Sequence, residues 1–188
     1  MKHLITFILF TLLLTLNTSS RARNSDELET AEAFIRTVLS DDPDAISQAI
    51  KAGADVNQIT GTGQPVLCAA SMLGKLKAVR TLLEKGAELQ DACIVAAVAN
   101  NQVYVLAFLL DKSKNPDLVA SDNGDRLLHM AVRALYPDMV ELLLKLGANR
   151  ELTNHDGDTA QDLLQDQSAV ISRISSLLSS PSPKSPNH

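Results

Sequence analysis

Tryptophan is absent from this 188-residue sequence, and the other aromatics are few: two Tyr and four Phe, 3% of the chain with Trp counted at zero. A core built around large aromatic side chains is therefore excluded. The interior has to be packed with Leu, Val, Ile and Ala, and the 45% hydrophobic content supplies enough of them for one continuous core. Positive charge is also short: 17 Lys and Arg face 22 Asp and Glu, a net charge of −5. An acidic chain lacks the basic surface that DNA, RNA or an anionic membrane attracts. There are only two cysteines, Cys68 and Cys93, so at most one intramolecular bridge exists.

Catalytic and metal-binding patterns are equally scarce. Of the four histidines, His3 lies in the first few residues and His188 is the last residue, leaving His129 and His155 in the body of the chain. No H-x-x-x-H or H-E-x-x-H pair occurs, so a zinc site is not expected. A G-x-x-x-x-G-K-[ST] phosphate loop and a G-x-S-x-G nucleophile elbow are both missing. "GTGQ" at Gly61–Gln64 is better explained as a turn. The acidic stretches "SDDPD" (Ser40–Asp44) and "NHDGD" (Asn154–Asp158) lack the twelve-residue loop and terminal Glu of a calcium site, and suit turns and helix N-caps. The sequence points away from an enzyme and calls for no cofactor and no metal.

What is present begins with a leader. Lys2 is followed by the uncharged apolar run Leu4–Leu16 and then by polar residues, with Ser20 and Ala22 at −3 and −1 of a cleavage site. The run is shorter than the ~20 residues a spanning helix needs. A cleaved secretory signal over residues 1–22 fits this layout better than an uncleaved anchor, and cleavage after Ser20 is an alternative. Removing residues 1–22 takes Lys2 and Arg21 and no acid, leaving 15 basic and 22 acidic residues, a net charge of −7. The expected product is exported and has no stable membrane insertion after cleavage.

The rest of the chain repeats. "LLKLG" (Leu143–Gly147) matches "LLEKG" (Leu82–Gly86), more weakly "LLDKS" (Leu109–Ser113), and in degenerate form "AIKAG" (Ala49–Gly53). The spacings are 33, 27 and 34 residues, a period near 33 with one short unit. Ile46, Val79, Leu106 and Val140 fall in equivalent places on the second helix of each unit. Ile50, Leu83, Leu110 and Leu144 follow four residues later on the same face. Pro43 and Pro137 share a register at the first turn of a helix, where a missing N–H costs nothing.

With "GQPVLCAASMLGK" (Gly63–Lys75), "GDRLLHMAVRALY" (Gly124–Tyr136) and "GDTAQDLL" (Gly157–Leu164) in place, the chain resembles the ankyrin repeat family over about residues 28–175. The resemblance implies an all-α solenoid of about five stacked helix-turn-helix units with degenerate end caps, spanning residues 23–175. A Ser- and Pro-rich tail, 176–188, is expected to be disordered. The units are assigned as Ser25–Asp55, Val56–Glu88, Leu89–Pro116, Asp117–Arg150 and a fifth from Glu151. Unit three is six residues short where the family places its β-turn finger, which predicts a notch. Leu135 stands where the family uses a glycine in a left-handed conformation, and Asp41 and Asn101 hold that place in units one and three. His129 matches a histidine that hydrogen-bonds neighbouring backbone. First helices about 10 Å apart favour two buried free thiols at Cys68 and Cys93 over a bridge.

The family uses one face of its solenoid to bind other proteins. On that face the expected contact residues are Met72, Leu73 and Lys75 in unit two, and Ala99, Asn100 and Gln102 in unit three. In unit four they are Arg133, Ala134 and Tyr136. The finger tips contribute Asp122 and Asp125, with Thr62, Gln64, Asn123, His155 and Asp158 beside them. Packing of Met72 and Leu73 against neighbouring helices is the alternative. The implied function is non-catalytic protein binding outside the cytoplasm by a monomer. Its expected form is a periplasmic inhibitor or immunity protein that occludes an exported hydrolase such as a cell-wall peptidase. A scaffold or stabiliser of another exported protein, such as a redox-defence enzyme, and a secreted effector are the alternatives.

Overall fold

A computed structural model of the chain describes residues 28–164 and 169–179. The signal expected at residues 1–22 lies outside these residues, as does the part of the expected tail beyond residue 179. The elements are α1 (28–39), α2 (Pro43–Lys51), α3 (Val66–Met72), α4 (Leu76–Glu84), α5 (Asp91–Ala99), α6 (Val103–Ser113), α7 (Leu127–Arg133), α8 (Pro137–Lys145) and α9 (Ala169–Ser179). Consecutive helices pair as α3–α4, α5–α6 and α7–α8, and the pairs stack, α3 on α5 on α7 and α2 on α4 on α6 on α8. Among the described residues the only β structure is isolated bridges, so the fold is an all-α solenoid of helix pairs.

Local sequence sets the helix ends. The Asp42 side chain accepts from the backbone N–H groups of Asp44 and Ala45 at 3.0 and 3.2 Å, with Pro43 opening α2 behind it. Pro137 opens α8 in the same way, with Asp138 in the first turn and Lys145 in the last. The second helices of units two and four close identically: the N–H of Ala87 reaches the Leu82 carbonyl, and that of Ala148 the Leu143 carbonyl, each at 2.9 Å. The residue that turns left-handed in these closures is Gly86 or Gly147. In unit three it is Lys114, one place after Ser113, because α6 runs through Ser113. The connection inside each pair uses the same device, with Gly74, Asn101 and Leu135 at positive φ and the N–H of Lys75, Gln102 or Tyr136 returning to an alanine carbonyl. Leu135, at φ 54°, pays about 1 kcal/mol for its Cβ there.

The core is aliphatic throughout. Ile46, Val79, Leu106 and Val140, the four equivalent second-helix positions, are all fully buried. The next contact differs from expectation. Leu82, Leu109 and Leu143 are fully buried, while Ile50 and Leu83 are only half-buried. Leu110 and Leu144 lie between, at 4% and 7% exposure. The apolar stripe on each second helix therefore centres one residue earlier than a strict four-residue step places it.

Hydrogen bonds between units fix their register. Asn57 Oδ1 accepts from the Glu88 N–H and Asp117 Oδ1 from the Asn149 N–H, at 2.9 and 2.8 Å. Asp41 Oδ1 accepts from the Ala78 N–H at 2.7 Å, so the first acidic stretch works as caps and inter-unit ties. Fingers closed by a single bridge precede α3 (Ile59–Pro65), α7 (Val119–Arg126) and the fifth unit (Thr153–Thr159). No such bridge precedes α5 among the described residues, and the expected notch is there. In the fifth unit a turn at 160–163 stands in place of a first helix, and α9 closes the stack against α8. The helix α9 reaches Ser179, four residues past the boundary expected at residue 175.

The cysteines correct the expectation of free thiols: Cys68 and Cys93 form a disulfide, with Cα atoms 4.1 Å apart. An axis separation of about 10 Å is not a Cα separation. Each helix carries its Cα atoms about 2.3 Å off its axis, so residues that face each other approach to about 5–6 Å. Here the two Cα atoms come closer still, and small side chains of α3 and α5, among them Ala69, Ala70, Ser71 and Ala97, are buried. The Ser71 hydroxyl donates to its own helix at the Leu67 carbonyl and needs no space in the interface.

Candidate partner-binding face

The first helices present short side chains on the face beneath the fingers. On α5, Ala92, Val95 and Ala96 lie within one turn and share a side. Together with Asp91 and Asn100 from the two ends of α5, they form the floor of an open groove of about 510 Å³. Its walls are Met72 of α3, Gln64 of the finger before α3, and Val119 and Ala120 of the finger before α7. The groove thus spans the place of the missing finger.

Of the residues expected to bind a partner, Met72 and Asn100 line this groove, with Gln64 from the finger tips. Leu73, Ala99, Ala134 and Asp122 are exposed outside it, Leu73 at 49%. Lys75, Gln102 and Tyr136 are half-buried; Tyr136 packs on the core, and the Gln102 amide covers Gly74, whose φ is +70° and whose hydrogen faces it. Sequence reasoning missed Asp91, Ala92, Val95, Ala96, Val119 and Ala120. The six-residue deletion was the available signal, since removing a finger uncovers the helix behind it.

Asp125 is a correction. It is buried, at 4% exposure, and offers nothing to a partner. Its carboxylate accepts from Arg133 Nε at 2.8 Å and from Asn154 Nδ2 at 2.9 Å. Burial pushes its pKa up, but the hydrogen bonds from Arg133, Asn154 and Asn123 outweigh that and hold it below the ordinary value. Arg133, itself exposed, has its pKa raised by the same bond. The fifth-unit finger locks onto this pair: Asn154 Oδ1 accepts from the N–H groups of Asp156 and Asp158, both at 3.0 Å, and the His155 ring lies against Gly124. Buried His129 completes the junction. Its Nδ1 accepts from the Arg126 N–H at 3.3 Å, which leaves the proton on Nε2 to donate to the Asp158 carbonyl at 3.1 Å.

Arg133 was expected as a contact residue; its bond to a buried carboxylate gives it a structural role as well. Arg133→Ala leaves Asp125 buried with one partner fewer, a cost of about 1–3 kcal/mol. Because the Asp125 pKa is depressed on folding, its contribution is present above the unfolded-state value and is lost as pH falls through the folded-state value. Thermal melts of the parent, Arg133→Ala and Asp125→Asn between pH 7 and pH 3 check this. The parent is expected to lose more stability on acidification than either variant; parallel curves would refute the coupling.

Among the described residues, no three His, Cys, Asp or Glu side chains gather as a metal site, and no helix is long and apolar enough to cross a membrane. The stacked helix pairs, the bridged fingers and the groove beneath them define a repeat solenoid built to present a surface. Residues 91–144 match the family model for ankyrin repeats (many copies), so this part of the solenoid is built of ankyrin repeats. It is 28% identical over 125 residues to α-latrotoxin-Lg1a of Latrodectus geometricus, which covers 62% of this chain and 9% of the toxin. It is 28% identical over 171 residues to the E3 ubiquitin-protein ligase Ufd4 of Drosophila melanogaster, 89% of this chain and 5% of the ligase. With the E3 ubiquitin-protein ligase hecd-1 of Caenorhabditis elegans it shares 29% identity over 151 residues, 79% of this chain and 5% of that protein. The chain spans less than a tenth of each of these relatives. Ankyrin repeats are protein–protein interaction modules and in general non-catalytic, which sets the coarse function of this chain.

Proposed function

We propose that the chain is a binder acting outside the cytoplasm, and that in a bacterial periplasm it occludes the active site of an exported hydrolase such as a cell-wall peptidase. The observation that carries this reading is the buried Cys68–Cys93 bond joining two of the helices behind the groove. Disulfides persist in oxidising compartments, so the bond supports export, as does the leader at residues 1–22. A stack held rigid by that bond and by inter-unit hydrogen bonds loses little entropy when a partner docks, which suits a stoichiometric inhibitor.

The test is capture of the partner by the oxidised chain from its own extracytoplasmic fraction, followed by assay of the hydrolase recovered. Adding the parent chain is expected to silence that hydrolase. Met72→Ala and Leu73→Ala are expected to weaken the complex by at least ~2 kcal/mol, about thirtyfold, and to restore activity in a mixed assay. The melting curve of exposed Leu73→Ala should stay within ~0.5 kcal/mol of the parent. Exposed Lys77 and Lys145, on the second helices, serve as controls. Loss of binding at these lysines with unchanged binding at Met72 and Leu73 would put the partner on the other face.

A further inference from the structure

The groove has a composition that selects its occupant. The three alanines of the lining, Ala92, Ala96 and Ala120, leave the space that larger residues would fill, and Met72, Val95 and Val119 supply apolar walls. Val119 is half exposed, at 50%, so part of this apolar surface meets water when the groove is empty. The volume of about 510 Å³ is ample for a bulky side chain and lies within the range of pockets that bury small ligands. Among the described residues no aromatic ring lines the groove, so they offer no stacking platform for a sugar or a base. No Lys or Arg among the described residues lines it either, so none of them neutralises an anion there. Asp91 is its one charged residue among those described and is exposed, and exposed Glu88 and Asp122 stand on the flanking segments. The charge over the groove is negative, as is that of the whole chain.

The geometry points to an anchor subsite: one bulky apolar side chain of a partner protein's loop seats over Ala92 and Ala96, and a Lys or Arg adjacent to it in that loop lies against Asp91. This rests on the reading that the groove face binds a protein, and it names the chemistry of the segment bound. The subsite exists because unit three lacks a finger; a finger of ordinary length between those of units two and four would occupy the same space.

Short peptides test it on the full, oxidised chain. The probes are Ac-Ala-Phe-Arg-Ala-NH2, the same peptide with Glu for Arg, and the same peptide with Ser for Phe. The readout is the methyl resonance of Met72 in a methionine-methyl-labelled sample, with fully buried Met139 as internal control. The Phe-Arg peptide is expected to shift Met72 saturably, to leave Met139 still, and to bind about fivefold more tightly than either companion, the scale of one exposed ion pair or one partly buried ring. Asp91→Lys should reverse the preference between Arg and Glu. Ala92→Leu, at an exposed helical position where leucine is well tolerated, should block binding while the melt is unchanged. Equal responses to all three peptides, no response at Met72, or indifference to Ala92→Leu would overturn the subsite. Should the captured hydrolase be released by Leu73→Ala while no peptide binds and Ala92→Leu has no effect, the anchor subsite is wrong and the wider reading stands. Should the Phe-Arg peptide bind in the expected order while no hydrolase is recovered, the subsite stands and the inhibitor reading falls.

Discussion

The double variant Cys68→Ala/Cys93→Ala is expected to be about 3–4 kcal/mol less stable than the oxidised parent. The bond closes a loop across 25 positions of sequence, and forbidding the open forms of such a loop in the unfolded chain accounts for an effect of that size. Alanine keeps both helices and fits an interface already made of small residues, so the loss measures the cross-link more than a cavity. Units two and three have special need of it. Among the described residues the short connection from Gly86 to α5 carries no bridged finger, and its tie to the unit before is the Glu88 N–H bond to Asn57. In a solenoid each unit touches only its neighbours, so weakening one interface weakens the cooperativity of the whole stack. Urea denaturation followed by circular dichroism is the check, with the parent run oxidised and reduced. Reduction should bring the parent close to the variant, and thiol titration of the denatured, unreduced parent should find no free thiol. Two titratable thiols, or a loss below ~1 kcal/mol, would contradict the bond or its role.

The repeat architecture was legible because it is written in backbone requirements. A residue at positive φ is needed at fixed intervals, and Asp41, Gly74, Asn101 and Leu135 mark one series whatever their side chains. Even Leu135 was placed by register against its own poor propensity. Lys114 was missed because nothing in its chemistry favours that conformation; the unit simply needs a left-handed residue one place beyond a lengthened α6. The deletion before α5 told where a finger would be absent, yet the groove it opens was not drawn, since its lining comes from two fingers and two helices far apart in sequence. The Arg133–Asp125–Asn154 cluster was hidden for a related reason. Sequence register puts Arg133 and Asp125 on the exposed side of their unit, but the finger of the fifth unit folds over Asp125 and buries it. The disulfide was misjudged by measuring helix axes where the facing surfaces decide.

Leu82→Ala and Leu143→Ala are expected to cost about 3–5 kcal/mol each, and Leu83→Ala less than about 1.5 kcal/mol. These adjacent leucines in Leu82–Leu83 look alike in sequence, and a four-residue step from Val79 selects Leu83 as the core position. The fold selects Leu82. Its side chain is fully buried, as is that of Leu143, and Leu83 keeps part of its surface in water. The closure of α4 explains the choice: Leu82 gives its carbonyl to the Ala87 N–H, and buried Ala87 folds back over the helix end. The same arrangement recurs with Leu143 and Ala148. Removing three carbons from a site packed on every side forfeits their transfer energy and leaves a cavity that neighbouring helices cannot fill without breaking their own contacts. At Leu83 the truncated surface was already partly hydrated, so both terms shrink. Leu144, at 7% exposure, falls between the two. Denaturant titrations of the three variants decide the register. A larger loss at Leu83 than at Leu82 would mean that the second helices are rotated by about one residue from the packing described, and that their apolar stripe follows the simple four-residue step after all.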